Sequence, residues 1–206
     1  VNAIIRSSTQ VFIGGEFTSV TNIANSEGGT RRKLAKLSFS NGWAIESWTA
    51  NVTGGSVRAL ATEGNSVYAG GDFTGVESGY VPSSWKYIGA FDWSTGEVKS
   101  NWNPRPDGYV NAITTGSTYE LPAVYFGGEF NHVMGKTRQY AAAVATTDYW
   151  DLQAARRLRQ WNPWPNRPVN AMTMDMRSAA KNILMGGEFE VVDQSPRVGF
   201  ATVSAE

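Results

Sequence analysis

No cysteine occurs in the 206-residue chain, which excludes disulfides, thiolate metal sites and cysteine nucleophiles without fixing the redox compartment. A single histidine, His132, leaves no multi-histidine metal site and no histidine-based triad, and it reads as an ordinary loop residue. Charge is scarce and balanced: 18 Lys+Arg stand against 18 Asp+Glu, and only 17% of residues are charged. Without clustered positive charge there is no electrostatic case for nucleic acid or for an anionic membrane surface. No apolar run approaches the ~20 residues that cross a bilayer. Glycine, 22 residues, and tryptophan, eight, are abundant in a chain that is 41% hydrophobic. That composition belongs to a folded globular protein, and the length allows one or two ordinary domains.

The chain is repetitive. A strand-like opening occurs four times, as Val1-Asn2-Ala3-Ile4, Val57-Arg58-Ala59-Leu60, Val110-Asn111-Ala112-Ile113 and Val169-Asn170-Ala171-Met172. Each leads into an apolar run closed by two glycines, an acid and a phenylalanine. These are Gly14-Gly15-Glu16-Phe17, Gly70-Gly71-Asp72-Phe73, Gly127-Gly128-Glu129-Phe130 and Gly186-Gly187-Glu188-Phe189, whose first glycines lie 56, 57 and 59 residues apart. A third element opens with Arg31, Arg138 or Arg197, with Trp85 in that slot of the second copy, and runs on as a short apolar stretch. A fourth carries Trp48, Trp102 and Trp161, the last two within Trp-Asn-Pro. The copies divide one region into residues 1–56, 57–109, 110–168 and 169–206.

The segments are short, rich in Val, Ile, Phe, Tyr and Trp, and separated by Gly, Asn, Ser and Pro. β-Branched and aromatic side chains suit a pleated, half-buried surface, so strands are expected. Asn41-Gly42 and Ser94-Thr95-Gly96 sit between third and fourth elements, where a hairpin needs positive φ. Four antiparallel strands per repeat, repeated four times, predict an all-β fold of the β-propeller type. A β-solenoid is the rival, but its repeat is usually much shorter and lacks such long hairpin loops.

The set of motifs, a glycine pair followed by acid and Phe, then an arginine, then Trp-Asn-Pro, resembles the kelch-like propeller repeats of bacterial delta-sixty proteins. Similar Gly-Gly-x-Phe units occur in fungal cortical polarity-marker proteins. The resemblance spans nearly the whole chain. It implies blades of a propeller within a large secreted or surface protein that has no known catalysis. A propeller alone does not fix function, because the fold hosts enzymes, lectins and scaffolds.

The last repeat stops after its third strand, so a fragment of a larger propeller is expected, with a complete four-bladed ring missing one strand as the alternative; either way the open edge takes a partner strand. Repeats three and four lengthen the loops of one face, through residues 117–121, 148–160 and 177–181. Repeats one and two lengthen the other face, through residues 18–30 and 74–84. Loops on a rigid scaffold are where contact residues gather.

The acids Glu16, Asp72, Glu129 and Glu188 recur at equivalent positions. A ring of acids would bind a cation or a sugar, but identical recurrence favours one structural bond per repeat, to a backbone N–H or to the arginine slot. Nothing sets two acids apart in the way that glycoside hydrolysis requires. The glycine pairs close strands rather than open helices, so a close backbone approach or a bulge is expected there and not a phosphate cradle. Trp48, Trp102 and Trp161 read as packing between repeats. Tyr80 with Trp85, and Tyr149 with Trp150, are the candidate ligand or partner contacts, since sugar sites favour exposed aromatic faces beside polar donors. Arg156, Arg157 and Arg159 form a small basic cluster in a helix-prone stretch, by default a solvated turn. Asn51-Val52-Thr53 matches the N-glycosylation acceptor.

Two functions fit. The favoured one is a non-catalytic, extracellular or cell-surface scaffold for protein interaction, adhesion or assembly, with no cofactor. Its partner would be another protein, or further copies or blades of the same one. The alternative is a carbohydrate-binding or carbohydrate-acting propeller with a glycan as ligand. Neither involves nucleic acid or membrane insertion.

Overall fold

Short runs of β-branched, aromatic and small apolar residues give the chain strands, and the named elements among the described residues are all strands. The structure, a computed structural model, describes residues 1–7, 9–20, 31–77, 85–117, 122–147, 157–175, 177 and 181–205. They fall into two units, Val1–Ser100 and Asn101–Glu206.

In the first unit, β1 (Ala3–Arg6), β2 (Gln10–Gly14) and β3 (Leu34–Ser38) form an antiparallel sheet in that order. Next come β4 (Asn51–Thr53), β5 (Val57–Glu63), β6 (Ser66–Gly71), β7 (Gly75–Glu77) and β8 (Ile88–Asp92). Of these, β5, β6 and β8 make a second three-stranded sheet, while β4 pairs with β7. Phe12, Leu34, Trp48, Val57, Val67, Phe73 and Phe91 fill the space between the two sheets, where β5 lies against β1 and β2.

The second unit repeats the plan. Its strands are β9 (Val110–Gly116), β10 (Ala123–Gly128), β11 (His132–Val133), β12 (Lys136–Thr137) and β13 (Ala141–Ala145), then β14 (Val169–Asp175), β15 (Asn182–Gly187), β16 (Val191–Val192), β17 (Ser195–Pro196) and β18 (Phe200–Ser204). The sheets are β9-β10-β13 and β14-β15-β18, with two small hairpins, β11-β12 and β16-β17. β14 packs on β9 and β10 around Tyr125, Trp161, Val169, Met174, Met185 and Phe189.

The fourth segment of a repeat is shorter than its sequence pattern suggests. It makes a single bridge to the third strand, at Leu37–Ala44, Phe91–Val98 and Val144–Leu158. Beyond that bridge the chain leaves its own sheet and runs along the next repeat. β4 pairs with β7, the Asp107 amide donates to the His132 carbonyl, and the Asn166 amide donates to the Val191 carbonyl. Proline and asparagine in this stretch suit such a departure better than a continued ladder.

Candidate functional site

Most of the repeated residues have a structural task. Opposite the glycine pair the first strand carries one extra residue, so the register shifts at Val57/Ala59, Gly127/Gly128 and Val169/Ala171. That is a β-bulge, and it frees the middle residue of Val-x-Ala from the ladder. Its side chain meets the motif acid of the same repeat. Arg58 Nη2 stands 3.1 Å from Asp72 Oδ2, and the amides of Asn111 and Asn170 donate to Glu129 and Glu188, each at 3.4 Å. In these three repeats the acid therefore answers the bulge. Burial pushes the Asp72 carboxyl up, but the Ser56 amide and hydroxyl and the Arg58 guanidinium outweigh it and hold the pKa below the usual carboxylate range.

The second glycine lets the backbone close on itself. The amides of Asp72, Glu129 and Glu188 donate to the carbonyls of Ser56, Tyr109 and Pro168 at 3.2, 2.8 and 3.0 Å. A Cβ on Gly71, Gly128 or Gly187 would collide with those same three oxygens. The first glycine instead leaves a hollow for the next repeat: a Cβ on Gly127 would lie 2.5 Å from Val169 Cγ1, and one on Gly14 would overlap Val57 Cγ1.

The tryptophans reach across to the following sheet. Trp48 Nε1 donates to the Asp92 carbonyl at 3.0 Å, Trp102 to Ala145 at 2.8 Å and Trp161 to Ser204 at 2.8 Å. Those three carbonyls occupy one register position, at the end of the third strand. The next carbonyl along takes a second donor. Tyr125 Oη donates to Ala205 at 3.0 Å, while in the first unit Lys36 Nζ donates to Trp93 at 2.8 Å. Lys36 is 4% exposed and lies 5.7 Å from the Phe12 and Trp93 ring centroids; burial lowers its pKa, partly offset by Asp92.

The arginine slot braces the repeat from within. Arg31 donates to the Glu46 carbonyl and Arg138 to that of Arg159, each two residues before the repeat's tryptophan. Arg197 bonds its neighbour's carbonyl, that of Pro196. Motif phenylalanines Phe73, Phe130 and Phe189 are fully buried, and Phe17 is partly so. Glu16 is exposed.

Two features had no signal in the sequence. Lys33, Tyr87, Tyr140 and Gly199, one before each third strand, all have φ between 60° and 72°. Each donates its amide to the motif phenylalanine's carbonyl and accepts the amide of the second glycine. His132, expected to be an unremarkable loop residue, pairs Nδ1 with Asp107 Oδ2 at 2.8 Å. Burial pushes the Asp107 carboxyl up, yet the amides of His132 and Asn131 and the His132 ring together hold it below the usual range. In the next repeat Asn166 accepts from the Glu190 and Val191 amides in the same way with no histidine present. Asp107 is thus a loop cap that His132 joins.

The remaining candidates scatter. Trp85 packs against the core of the first unit. Tyr80, Tyr149, Trp150 and Arg156 lie outside the described residues. Arg157 and Arg159 are partly buried. Asn51 Nδ2, the atom a glycan would occupy, donates to Glu77 Oε2 at 2.8 Å. Among the described residues no three His, Asp or Glu converge as metal ligands, and no helix is long and apolar enough to cross a membrane. No family model and no curated protein sequence matches the chain.

Proposed function

We propose that the chain is a non-catalytic scaffold of the β-propeller type, each three-stranded sheet being a blade, which serves protein interaction, adhesion or assembly outside the cell or on its surface. The supporting observation is where the motif chemistry goes. The recurring acids Asp72, Glu129 and Glu188, the arginines Arg31 and Arg138 and the tryptophans Trp48, Trp102 and Trp161 are taken up by bulges, braces and sheet-to-sheet bonds, so these polar groups hold the framework. The face-to-face packing of the two sheets within each unit, with an indole N–H bonding the later sheet, suits blades of a propeller. The likeness to kelch-like repeats and the polar, lysine-poor composition support an external location.

The test is a glycan array and a panel of glycoside substrates read with the whole chain, beside the sequence of the full-length gene. The proposal expects no glycan retention, no turnover and an export signal in the gene. Glycan retention lost on Trp85→Ala, or a gene with no export signal, would overturn it.

A further inference from the structure

Asn41-Gly42 and Asp107-Gly108 are the one Asn-Gly and the one Asp-Gly pair in the sequence. Both carry the same latent chemistry. A glycine amide nitrogen has no side chain of its own residue to shield it and a freely turning backbone. It can therefore attack the side-chain carbonyl carbon of the preceding residue and close a five-membered succinimide. The fold treats the two pairs in opposite ways.

Asp107 is pinned. Its Oδ1 accepts the amides of Asn131 and His132 at 2.7 and 2.9 Å, and its Oδ2 stands 2.8 Å from His132 Nδ1. A carboxylate held by charge-assisted bonds is a poor electrophile and cannot turn toward the nitrogen that follows it. Gly108 is hemmed in as well, since a Cβ there would lie 2.7 Å from the Glu129 carbonyl oxygen.

Asn41 and Gly42 are exposed, and a Cβ built on Gly42 would meet nothing within 4 Å. The Trp43 amide donates to Asn41 Oδ1 at 3.0 Å. That Asx turn folds the side chain over the peptide joining Asn41 to Gly42. It also sets a donor on the oxygen where negative charge develops when Cγ is attacked. One bond restrains the nucleophile: the Gly42 amide donates to the Ser38 carbonyl at 2.9 Å. The fourth segment that follows is linked to β3 by a single bridge, Leu37–Ala44, so freeing the Gly42 nitrogen takes only a local opening. By contrast Asn51, Asn111, Asn170 and Asn182 lie in strands and precede Val, Ala or Ile, while Asn103 and Asn162 precede prolines, which have no N–H.

We propose that Asn41 is a site of spontaneous deamidation, through a succinimide formed with Gly42. The Gly42 nitrogen gives its proton to water and bonds to Asn41 Cγ. The Cγ–Nδ2 bond then breaks, and the amide nitrogen takes up a proton and leaves as ammonia. Water opens the ring at either carbonyl, so that aspartate or isoaspartate stands at position 41. Overall, water is consumed and ammonia released, with no change of oxidation state. The turn gains a negative charge in a chain whose formal net charge is zero, next to Trp43, itself 39% exposed. The isoaspartyl product also carries an extra methylene in its backbone. The reaction needs no partner and is independent of the scaffold role.

The whole chain, incubated in buffer at neutral and at mildly alkaline pH, tests it by peptide mass spectrometry and enzymatic methylation of isoaspartate. The peptide holding Asn41 is expected to acquire the amide-to-acid mass change together with methylatable isoaspartate. Its rate is expected to be higher at the higher pH, because the nitrogen attacks as its anion. The peptide holding Asp107 is expected to stay free of isoaspartate until the chain is unfolded in guanidinium chloride. At Asn41 the folded rate is expected to fall within about tenfold of the unfolded one, since opening an exposed loop costs little. Asn41→Ser, whose hydroxyl still accepts the Trp43 amide, is expected to abolish the signal from this peptide. An intact Asn41 after the unfolded chain has converted, isoaspartate forming as fast at Asp107 as at Asn41 in the folded chain, or a signal that persists in Asn41→Ser would each overturn the proposal.

Discussion

Gly127 and Gly186 hold the same place in the same motif, yet adding one methyl group to each has opposite expected effects. Neither has a left-handed φ, so the backbone accepts alanine at both. At Gly127 the new Cβ would sit 2.5 Å from Val169 Cγ1 and 2.7 Å from Val169 Cβ. Contact at van der Waals distance needs roughly 3.5–4.0 Å, so the methyl overlaps by about 1 Å. Val169 is fully buried and branched at Cβ, and it cannot swing aside. Overpacking of this kind costs about 1–3 kcal/mol, against a gain of roughly 0.4–1 kcal/mol from a less flexible unfolded chain. Gly127→Ala is therefore expected to lose about 1–2 kcal/mol. At Gly186 only the gain applies, because the nearest atom is 3.6 Å away. Urea unfolding followed by tryptophan fluorescence gives both midpoints, and an unchanged slope shows that the unfolded reference is the same. Equal effects at the two glycines, or a stabilised Gly127→Ala, would refute the assignment of the first glycine to sheet-to-sheet packing.

Three further outcomes follow from the same geometry. Trp161→Phe keeps a ring in the core but removes the 2.8 Å indole bond to the Ser204 carbonyl, so a loss of about 0.5–1.5 kcal/mol is expected by urea unfolding. Lys33→Gly relieves a φ of 68° and is expected to be neutral or stabilising, whereas Lys33→Val, β-branched in the left-handed region, is expected to cost at least ~1 kcal/mol; thermal midpoints of the two variants decide it. Asp107 has its folded pKa held down, so it contributes stability that is complete above the unfolded value of about 3.9 and fades as the pH falls from there through the folded value. Asp107→Asn retains an oxygen for the Asn131 and His132 amides, as Asn166 does in the next repeat, and is expected to flatten the fall in stability below about pH 4. An unchanged acid profile would contradict that role.

The all-β character was legible because β-branched and aromatic residues fill short runs between turn residues, as in Val11 to Ile13 and Val124 to Phe126. The bulge was half legible. Paired glycines signalled crowding, but the partner of the acid is the variable residue of Val-x-Ala, arginine once and asparagine elsewhere. The short fourth segment was hidden because its tryptophan marks a contact with the next repeat and not a longer strand in its own. Lys33, Tyr87 and Tyr140 gave no sign of positive φ, since only Gly199 among the four is a residue that favours it. Lys36 and Tyr125 do one job from different strands with different chemistry, so no pattern of residue types connects them. His132 and Asp107 lie 25 residues apart and meet only because the departing fourth segment runs beside the next repeat's loop.

The most direct measurement of the central claim, that the repeats within a unit join by seating a valine on a glycine, is a double-mutant cycle on Gly127→Ala and Val169→Gly, which removes both Cγ1 and the Cβ that lies 2.7 Å from the added methyl. Removing the valine side chain makes room for the alanine methyl, so the double variant is expected to be more stable than the sum of the singles by about 1 kcal/mol. Effects that add to within ~0.3–0.5 kcal/mol, the behaviour of independent sites, would contradict the account.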